Sequence, residues 1–408
     1  MVGAPITSQS YELIGIPQLI KDFQVIILDL REWWGRKIIQ STDPKLKFDG
    51  YEFVNSYESF KENIIKSQPL YALGSIHENQ HSGEILEFLS DNQVQFILLS
   101  RGSLPNPTIL ARIKYFLPRI YTKRVANDSI QANSISSNQI AKSKLQITSL
   151  LGQKLKNRIS DLREMQQIKN ARPLIGIFSG RKANTKYAKF CKEIFFVPSL
   201  NFETFTRTSQ LIKKEKEKYI IFIDDNLVSG SDFALLNIIP PVDRDQYFAA
   251  LNHFFQELEN HFNAPVKIAA HPSSQNDHFL SARMGGRTIV HNKTAELVIN
   301  SYLVLAHAST AISFAVLARK PILFMTTQDI NRSYLGLIAN SMSQLLGSKI
   351  ANIDGDYSNL LNEKLFKIKE KRYEKYTKNF ISNVKESIEN PWSPIIAHLQ
   401  NQKTDLNI

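Results

Sequence analysis

The sequence predicts an α/β protein of two doubly wound domains that face each other across a cleft. Three observations predict it. Short apolar runs alternate with longer amphipathic segments, the pattern of parallel strands joined by helical crossovers. Several of these runs stop abruptly on polar or charged residues, as strands do where a parallel sheet opens a ligand crevice at its carboxyl edge. The chain has 408 residues, enough for two domains, and an apolar fraction of 43% allows each a core of its own.

The first half supports the first domain element by element. Residues 25–30 (VIILDL) read as a buried strand that ends among Asp29, Arg31, Glu32, Trp33 and Trp34. The Trp pair suits packing, a sugar-stacking cleft wall or a membrane-facing surface. A helix over 57–66, a strand over 70–73, an amphipathic helix over 82–92 and a strand over 94–99 follow. The last of these ends on Ser100-Arg101-Gly102-Ser103. Residues 105–172 differ in kind: a Ser/Asn-rich loop is expected near 127–139, and the second half carries Lys144, Lys154, Lys156, Arg158, Arg163 and Lys169 against Asp161 and Glu164. This reads as a basic helical insertion. It is either a solvated helix face or a seat for an anionic membrane surface or an acidic glycan. The sheet resumes with strands over 173–178 and 194–197, and a polar, basic helix or linker over 206–218 marks the boundary. The first domain is therefore expected over 1–210.

The second domain is expected over 211–385, with 386–408 packing back toward the first. Its first strand, 219–223, ends on Asp224-Asp225-Asn226. Adjacent carboxylates at a strand end fit a catalytic group, a divalent-cation site or a plain capped turn. A long helix over 244–262 carries Tyr247, Leu251, Phe254, Phe255 and Leu258 as its core stripe, and its His253 and His261 read as packing or surface residues. Gly285-Gly286-Arg287 and His291 are expected in a loop, with Thr294 capping the helix over 295–299. Basic helices are expected over 360–389 and a short one at the C-terminus.

The stretch 266–327 organises this half. A strand over 266–270 ends on His271-Pro272-Ser273-Ser274, and a strand over 302–306 ends on His307-Ala308-Ser309-Thr310. A helix over 311–319 then starts on the Ser/Thr pair, and a third strand spans 322–325. The helix start should offer free N–H groups and a partial positive charge, an anion site. His271 should add a donor from the neighbouring strand end, and Ser273 and Ser274 hydroxyls. The plain alternative is a cap at Ser309 and a satisfied turn at His271.

Composition narrows the partners. A formal charge of +12 points to an anionic one: nucleotide, nucleic acid or anionic lipid. No zinc-finger or RNP motif supports nucleic acid. A single cysteine, Cys191, excludes an intrachain disulfide, and no Cys-based metal site is expected. No leader or membrane-spanning run is read, so a cytoplasmic protein is expected, with peripheral contact on an anionic inner membrane left open.

The segments IIFIDD ending at Asp225, AAHPSS around His271, KTAELV from Lys293 and AHASTAISFAVLARKPILF from Ala306 resemble bacterial surface-polysaccharide glycosyltransferases of the GT-B type. More narrowly they are similar to enzymes using CMP-activated acidic sugars, the sialyltransferases and the retaining Kdo transferases. The resemblance covers 219–327 well, reaches back to 173 and is weak before that. It implies two Rossmann-like domains facing a cleft, a CMP-sugar donor, a glycan or glycolipid acceptor of capsule or lipopolysaccharide, and no metal or other cofactor. It also implies that His271, Pro272, Ser273, Ser274, His307, Ser309 and Thr310 hold the nucleotide. The Kdo-transferase pattern makes Asp224, or secondly Asp225, the catalytic carboxylate. The sialyltransferase pattern moves that role to Asp29, Glu32 or Glu203. Two other functions stay open: a CDP-glycerol or CDP-ribitol phosphotransferase on the same fold, and a non-catalytic glycan-binding protein of polysaccharide assembly.

Overall fold

The structure is a computed structural model that describes residues 1–2, 6, 8–35, 50–74, 81–102, 104–105, 107, 166, 175–182, 188–213, 217–228, 230, 240–362, 366–384 and 390–405. The basic insertion expected over 105–172 falls almost wholly outside them.

Among the described residues a two-stranded, a four-stranded and a six-stranded parallel sheet with helices form the molecule, the α/β architecture of two Rossmann-like domains. In the first domain, after helices α1 (Ser8–Ile14) and α2 (Ile16–Leu19), strands β1 (Ile27–Asp29) and β2 (Tyr51–Phe53) pair in parallel. Helix α3 (Tyr57–Ser67) leads to β3 (Tyr71–Gly74), helix α4 (Ser82–Asp91) to β4 (Gln95–Ser100), and β5 (Ile175–Phe178) and β6 (Glu193–Phe196) complete a parallel sheet in the order β3-β4-β5-β6. Ser56 caps α3 by accepting the Ser59 amide, and Phe60 and Ile64, one turn apart, turn inward.

The second sheet runs β12-β11-β10-β7-β8-β9, all parallel. Its strands are β7 (Ile220–Ile223), β8 (Val266–Ala270), β9 (Ile289–His291), β10 (Leu303–Ala306), β11 (Ile322–Thr326) and β12 (Lys349–Asn352). The chain starts at the centre with β7, winds outward through β8 and β9, then returns to β7's other side for β10 onward. That reversal places the topological switch point between β7 and β10, where such sheets open a crevice at their carboxyl ends. β7 and β10 are buried on both faces, which explains their unbroken apolar sequences.

Helices cover both faces. After β6 come α5 (Leu200–Leu211) and, in the second domain, α6 (Arg244–Phe262), α7 (Leu280–Arg283), α8 (Thr294–Asn300), α9 (Ile312–Leu317), α10 (Gln328–Asn331), α11 (Tyr334–Leu346), α12 (Glu370–Tyr376) and α13 (Ser393–Asp405). The α6 stripe Tyr247, Leu251, Phe254, Phe255 and Leu258 packs under β7 and β8 on one face, while α8, α9, α11 and α12 build the core of the other. Burying each such large apolar side chain contributes about 1.5–3 kcal/mol.

Several expectations change. The helix expected over 206–218 begins at Leu200, capped by Ser199, and its Phe202 and Phe205 lie against the second domain's core. His291 belongs to strand β9, and β2, β12 and α11 are elements beyond those expected. Thr294 is the first residue of α8 and makes no capping bond; Lys293 holds the cap position. The chain leaves the second domain through a π-helical turn, Thr377–Ile381, and Trp392, with Ile395, Ile396 and Leu399 of α13, packs on β4 and β5 of the four-stranded sheet. Among the described residues no helix is long and apolar enough to cross a membrane.

Candidate functional site

The carboxyl ends of three adjacent strands, β10, β7 and β8, bring together Ser309 and Thr310, Asp224 and Asp225, and His271. β7 pairs with β8 on one side and with β10 on the other, so residues far apart in sequence meet at one edge.

Asp224 is 5% exposed. Its Oδ1 accepts the Asn226 amide at 2.9 Å, while Oδ2 is buried without a hydrogen-bond partner among the described residues. Burial pushes this carboxyl above its ordinary range; the Asn226 amide opposes the rise, and Asp225 adds to it. Asp225 is spent differently. Its Oδ2 accepts the Ala308 amide at 3.0 Å, and the Ser309 hydroxyl further favours its ionised form against the dominant effect of burial, which raises its pKa. Asp225 therefore bolts β7 to the loop after β10 across the switch point.

This contact occupies part of the edge where an anion cradle is expected at Ser309 and Thr310. Helix α9 is short, and its cap residue Ala311 makes no side-chain capping bond. The amides of Ile312, Ser313 and Phe314 already bond to the carbonyls of Ser309, Thr310 and Ala311. The Ala308 amide is taken by the protein's own carboxylate. Ser309 Oγ accepts the Ala311 amide at 3.3 Å, and only Thr310 is exposed, its carbonyl accepting Asn201 Nδ2 at 2.9 Å.

His307, expected to line the same site, lies inside the fold. It is fully buried, its ring turned into the core beside Phe222 rather than toward the cleft. Nδ1 donates to the Met325 carbonyl at 2.8 Å and Nε2 accepts the Tyr247 hydroxyl at 2.9 Å. Burial lowers its pKa to about 4, so it is a neutral structural histidine.

His271 stands at the edge, half-buried. It caps the 3-10 turn Pro272–Ser274, with Nδ1 accepting the Ser273 amide at 3.2 Å and lying 2.7 Å from Ser273 Oγ. Pro272 heads that turn, and Ser274, buried, donates its hydroxyl to the His271 carbonyl at 2.7 Å. Ser274 thus serves the turn. Asn226, with φ 47°, reaches across from β7 and donates from Nδ2 to Ser273 Oγ at 2.9 Å. Its position two residues after Asp224 is visible in the sequence; its reach depends on the β7–β8 neighbourhood and the left-handed turn, which no motif announces.

The first-domain carboxylates are occupied. Asp29 is buried under a two-pronged contact from the Arg31 guanidinium, at 2.7 Å from Nη2, and also accepts the Tyr51 hydroxyl. Glu203 holds Arg101 Nη2 at 2.5 Å, while that guanidinium also binds the carbonyls of Pro198 and Leu13. Glu32 is exposed. A general base at Asp29 or Glu203 would first have to give up a buried cation. No group of His, Cys, Asp or Glu among the described residues is arranged to hold a metal ion.

No family model and no curated protein matches the sequence. Similar solved structures include the wall teichoic acid polymerase TagF in an H444N form with CDPG, at 13% identity and TM-score 0.48, covering 99% of this chain and 87% of that one. A UDP-N-acetylglucosamine 2-epimerase described as such for Listeria monocytogenes has 10% identity and TM-score 0.47, covering 97% and 93%. The UDP-GlcNAc 2-epimerase of Methanocaldococcus jannaschii, with UDP-GlcNAc and UDP, has 12% identity and TM-score 0.35, covering 84% and 79%. These similarities extend over both sheets and carry no information on which side chains act.

Proposed function

We propose that the chain is a transferase acting on a cytidine-nucleotide donor, and that it moves an alditol phosphate of the glycerol or ribitol type from a CDP-linked donor to a hydroxyl of a glycan or glycolipid. The observation that carries this reading is the placement, at the carboxyl ends of the neighbouring strands β8 and β7, of a half-buried His271, whose Nε2 has no partner among the described residues, and Asp224, whose buried Oδ2 is unpaired. The cytidine nucleotide comes from the motif resemblance. The phosphorus-centred chemistry comes from the site.

Phosphoryl transfer asks a protein for positioning and charge stabilisation rather than for a covalent partner. In the proposed step the acceptor hydroxyl oxygen forms a bond to the β-phosphorus. The bond from that phosphorus to the bridging oxygen breaks, and CMP leaves with the electron pair. Asp224, whose pKa is raised by burial, suits the role of taking the hydroxyl proton. His271 Nε2–H and the exposed Thr310 hydroxyl would donate to the phosphate oxygens.

A second reading, transfer of a Kdo-type or sialic-acid-type sugar from CMP, is favoured by one feature: Asp224 stands where the Kdo-transferase resemblance puts a carboxylate nucleophile. The similar structures named above are a teichoic acid polymerase and epimerases, not sialyltransferases or Kdo transferases.

Phosphorus NMR on the purified chain with CDP-glycerol, CDP-ribitol or CMP-sugars and a polyhydroxyl acceptor decides between them. A phosphodiester signal appearing with CMP supports the proposal. CMP released from a CMP-sugar with no phosphodiester supports the second reading. No release from any donor, with binding to acidic glycan retained, would instead mark a non-catalytic glycan-binding protein.

A further inference from the structure

One chain of hydrogen bonds at the site is not used by the reaction step above. It starts at Asp224 Oδ1, which accepts the Asn226 amide at 2.9 Å. That bond closes the turn after β7 and holds Asn226 in its left-handed conformation, φ 47°, which Asn tolerates better than most residues. From there Asn226 Nδ2 donates to Ser273 Oγ at 2.9 Å. With an acceptor site of Ser273 Oγ taken, its own hydrogen is directed to His271 Nδ1, 2.7 Å away. The Ser273 amide converges on the same nitrogen at 3.2 Å.

A nitrogen that receives two donors is unprotonated in the neutral ring. The ring proton then resides on Nε2, the nitrogen without a partner among the described residues. We propose that Asn226 and Ser273 are positioning residues that hold His271 in its Nε2–H form, so that an incoming phosphate oxygen meets a hydrogen-bond donor and not a base. The proposal rests on the phosphate reading of the site and names how that site selects its ligand: an anionic oxygen is accepted, and a group that must itself donate to His271 is refused. It also ties the two strand ends into one unit. Asp224 sets the turn that aims Asn226, Asn226 orients Ser273, and Ser273 orients His271.

The test has two independent arms. Long-range 15N–1H spectra of the full chain, recorded on the neutral ring and assigned with His271→Gln, read the tautomer directly. Wild type is expected to show Nε2–H alone. Ser273→Ala keeps the amide donor but loses the hydroxyl, and Asn226→Gly keeps the positive φ but loses Nδ2; each is expected to introduce a population of Nδ1–H, and Ser273→Thr to restore the wild-type pattern. The other histidine signals and the thermal midpoint report that the fold persists. In the second arm, CMP is titrated into the same proteins by calorimetry. Ser273→Ala is expected to weaken binding about three- to tenfold, the effect of one compromised hydrogen bond. A wild-type ring protonated on Nδ1, or an unchanged tautomer in both loss variants, overturns the relay whatever binds. CMP that fails to bind wild type while the tautomer results hold overturns the phosphate reading and leaves the relay standing.

Discussion

Asp225 at the end of β7 accepts the backbone amide of Ala308 at the end of β10, 3.0 Å across the switch point of the second sheet. In parallel α/β sheets this crevice is where ligand anions sit. Here the protein fills part of it with its own carboxylate. The amides that the sequence suggests as an anion site after β10 are bonded inside the fold, and half-buried His271 lies two strands further along, at the end of β8.

Asp225→Ala should therefore destabilise the protein, because it leaves the Ala308 amide and the Ser309 hydroxyl without their acceptor. A loss of about 1–3 kcal/mol is expected, the usual cost of stranding buried polar groups. Urea denaturation checks it. An unchanged midpoint would mean that solvent takes Asp225's place.

Asp224 should trade stability for function. Its pKa is raised by burial, so its ionised form is a burden that the folded state carries at neutral pH. The sign follows from linkage: for a carboxyl with a raised folded pKa, stability is gained as pH falls through that pKa, and the contribution is complete below the unfolded value of 3.8. Asp224→Asn removes the charge at every pH. It should raise the melting temperature near neutrality, lose that advantage as the pH is lowered and the wild-type carboxyl protonates, and abolish turnover while CMP still binds. Full activity in this variant would remove Asp224 from the reaction.

His307 predicts the opposite slope. Its folded pKa is about 4 against an ordinary 6.5. Stability contributed by keeping this ring neutral is present above 6.5 and is lost as pH falls from there toward 4, to an extent on the order of 3 kcal/mol. His307→Gln should flatten the stability profile in that window. Tyr247→Phe, which leaves Nε2 without its donor, should cost about 1–2 kcal/mol without changing CMP affinity. A large loss of CMP binding in Tyr247→Phe would return His307 to the ligand site.

How much of this is legible in the sequence depends on how many neighbours each element has. β7, β8, β10 and β11 lie inside the sheet, are covered on both faces, and announce themselves as apolar runs. The edge strands β9 and β12 have one strand neighbour each and half-exposed residues, so IVH and KIAN look like loop. At the site, His271 is legible because a His-Pro pair ends a buried strand. Asn226 is not, since its contact with Ser273 exists only once β7 and β8 are paired. Tyr247 reads as one more member of a core stripe, and only the structure shows its hydroxyl on His307. Burial also inverts one inference: His307 looks equivalent to His271 in sequence, yet the strand end that carries it turns its ring inward.

A close approach between strand β5 and the π-helical turn yields the last prediction. Gly180, just after β5, lies against the π-helical turn through which the chain leaves the second domain. A Cβ built there would stand 2.2 Å from the Asn379 carbonyl oxygen and 2.5 Å from the Phe380 amide nitrogen. Neighbouring bonds seal the same contact: Ser179 Oγ donates to the Phe380 carbonyl at 3.1 Å, and the Arg181 and Lys182 amides bond to the carbonyls of Lys378 and Asn379. These atoms are backbone and cannot rotate away, so Gly180→Ala must push the crossing segment off the strand end. The expected cost is about 1–3 kcal/mol, the range for overpacking a tight contact. Because Trp392 and Ile395, further along the same chain, pack on the first sheet, the displaced crossing should also loosen α13. Limited proteolysis should then cut near residues 378–392 faster in the variant than in wild type, while urea denaturation reads the stability loss. Equal cleavage and an unchanged midpoint would mean that the crossing moves freely over Gly180, and that the tight approach does not hold the two domains together.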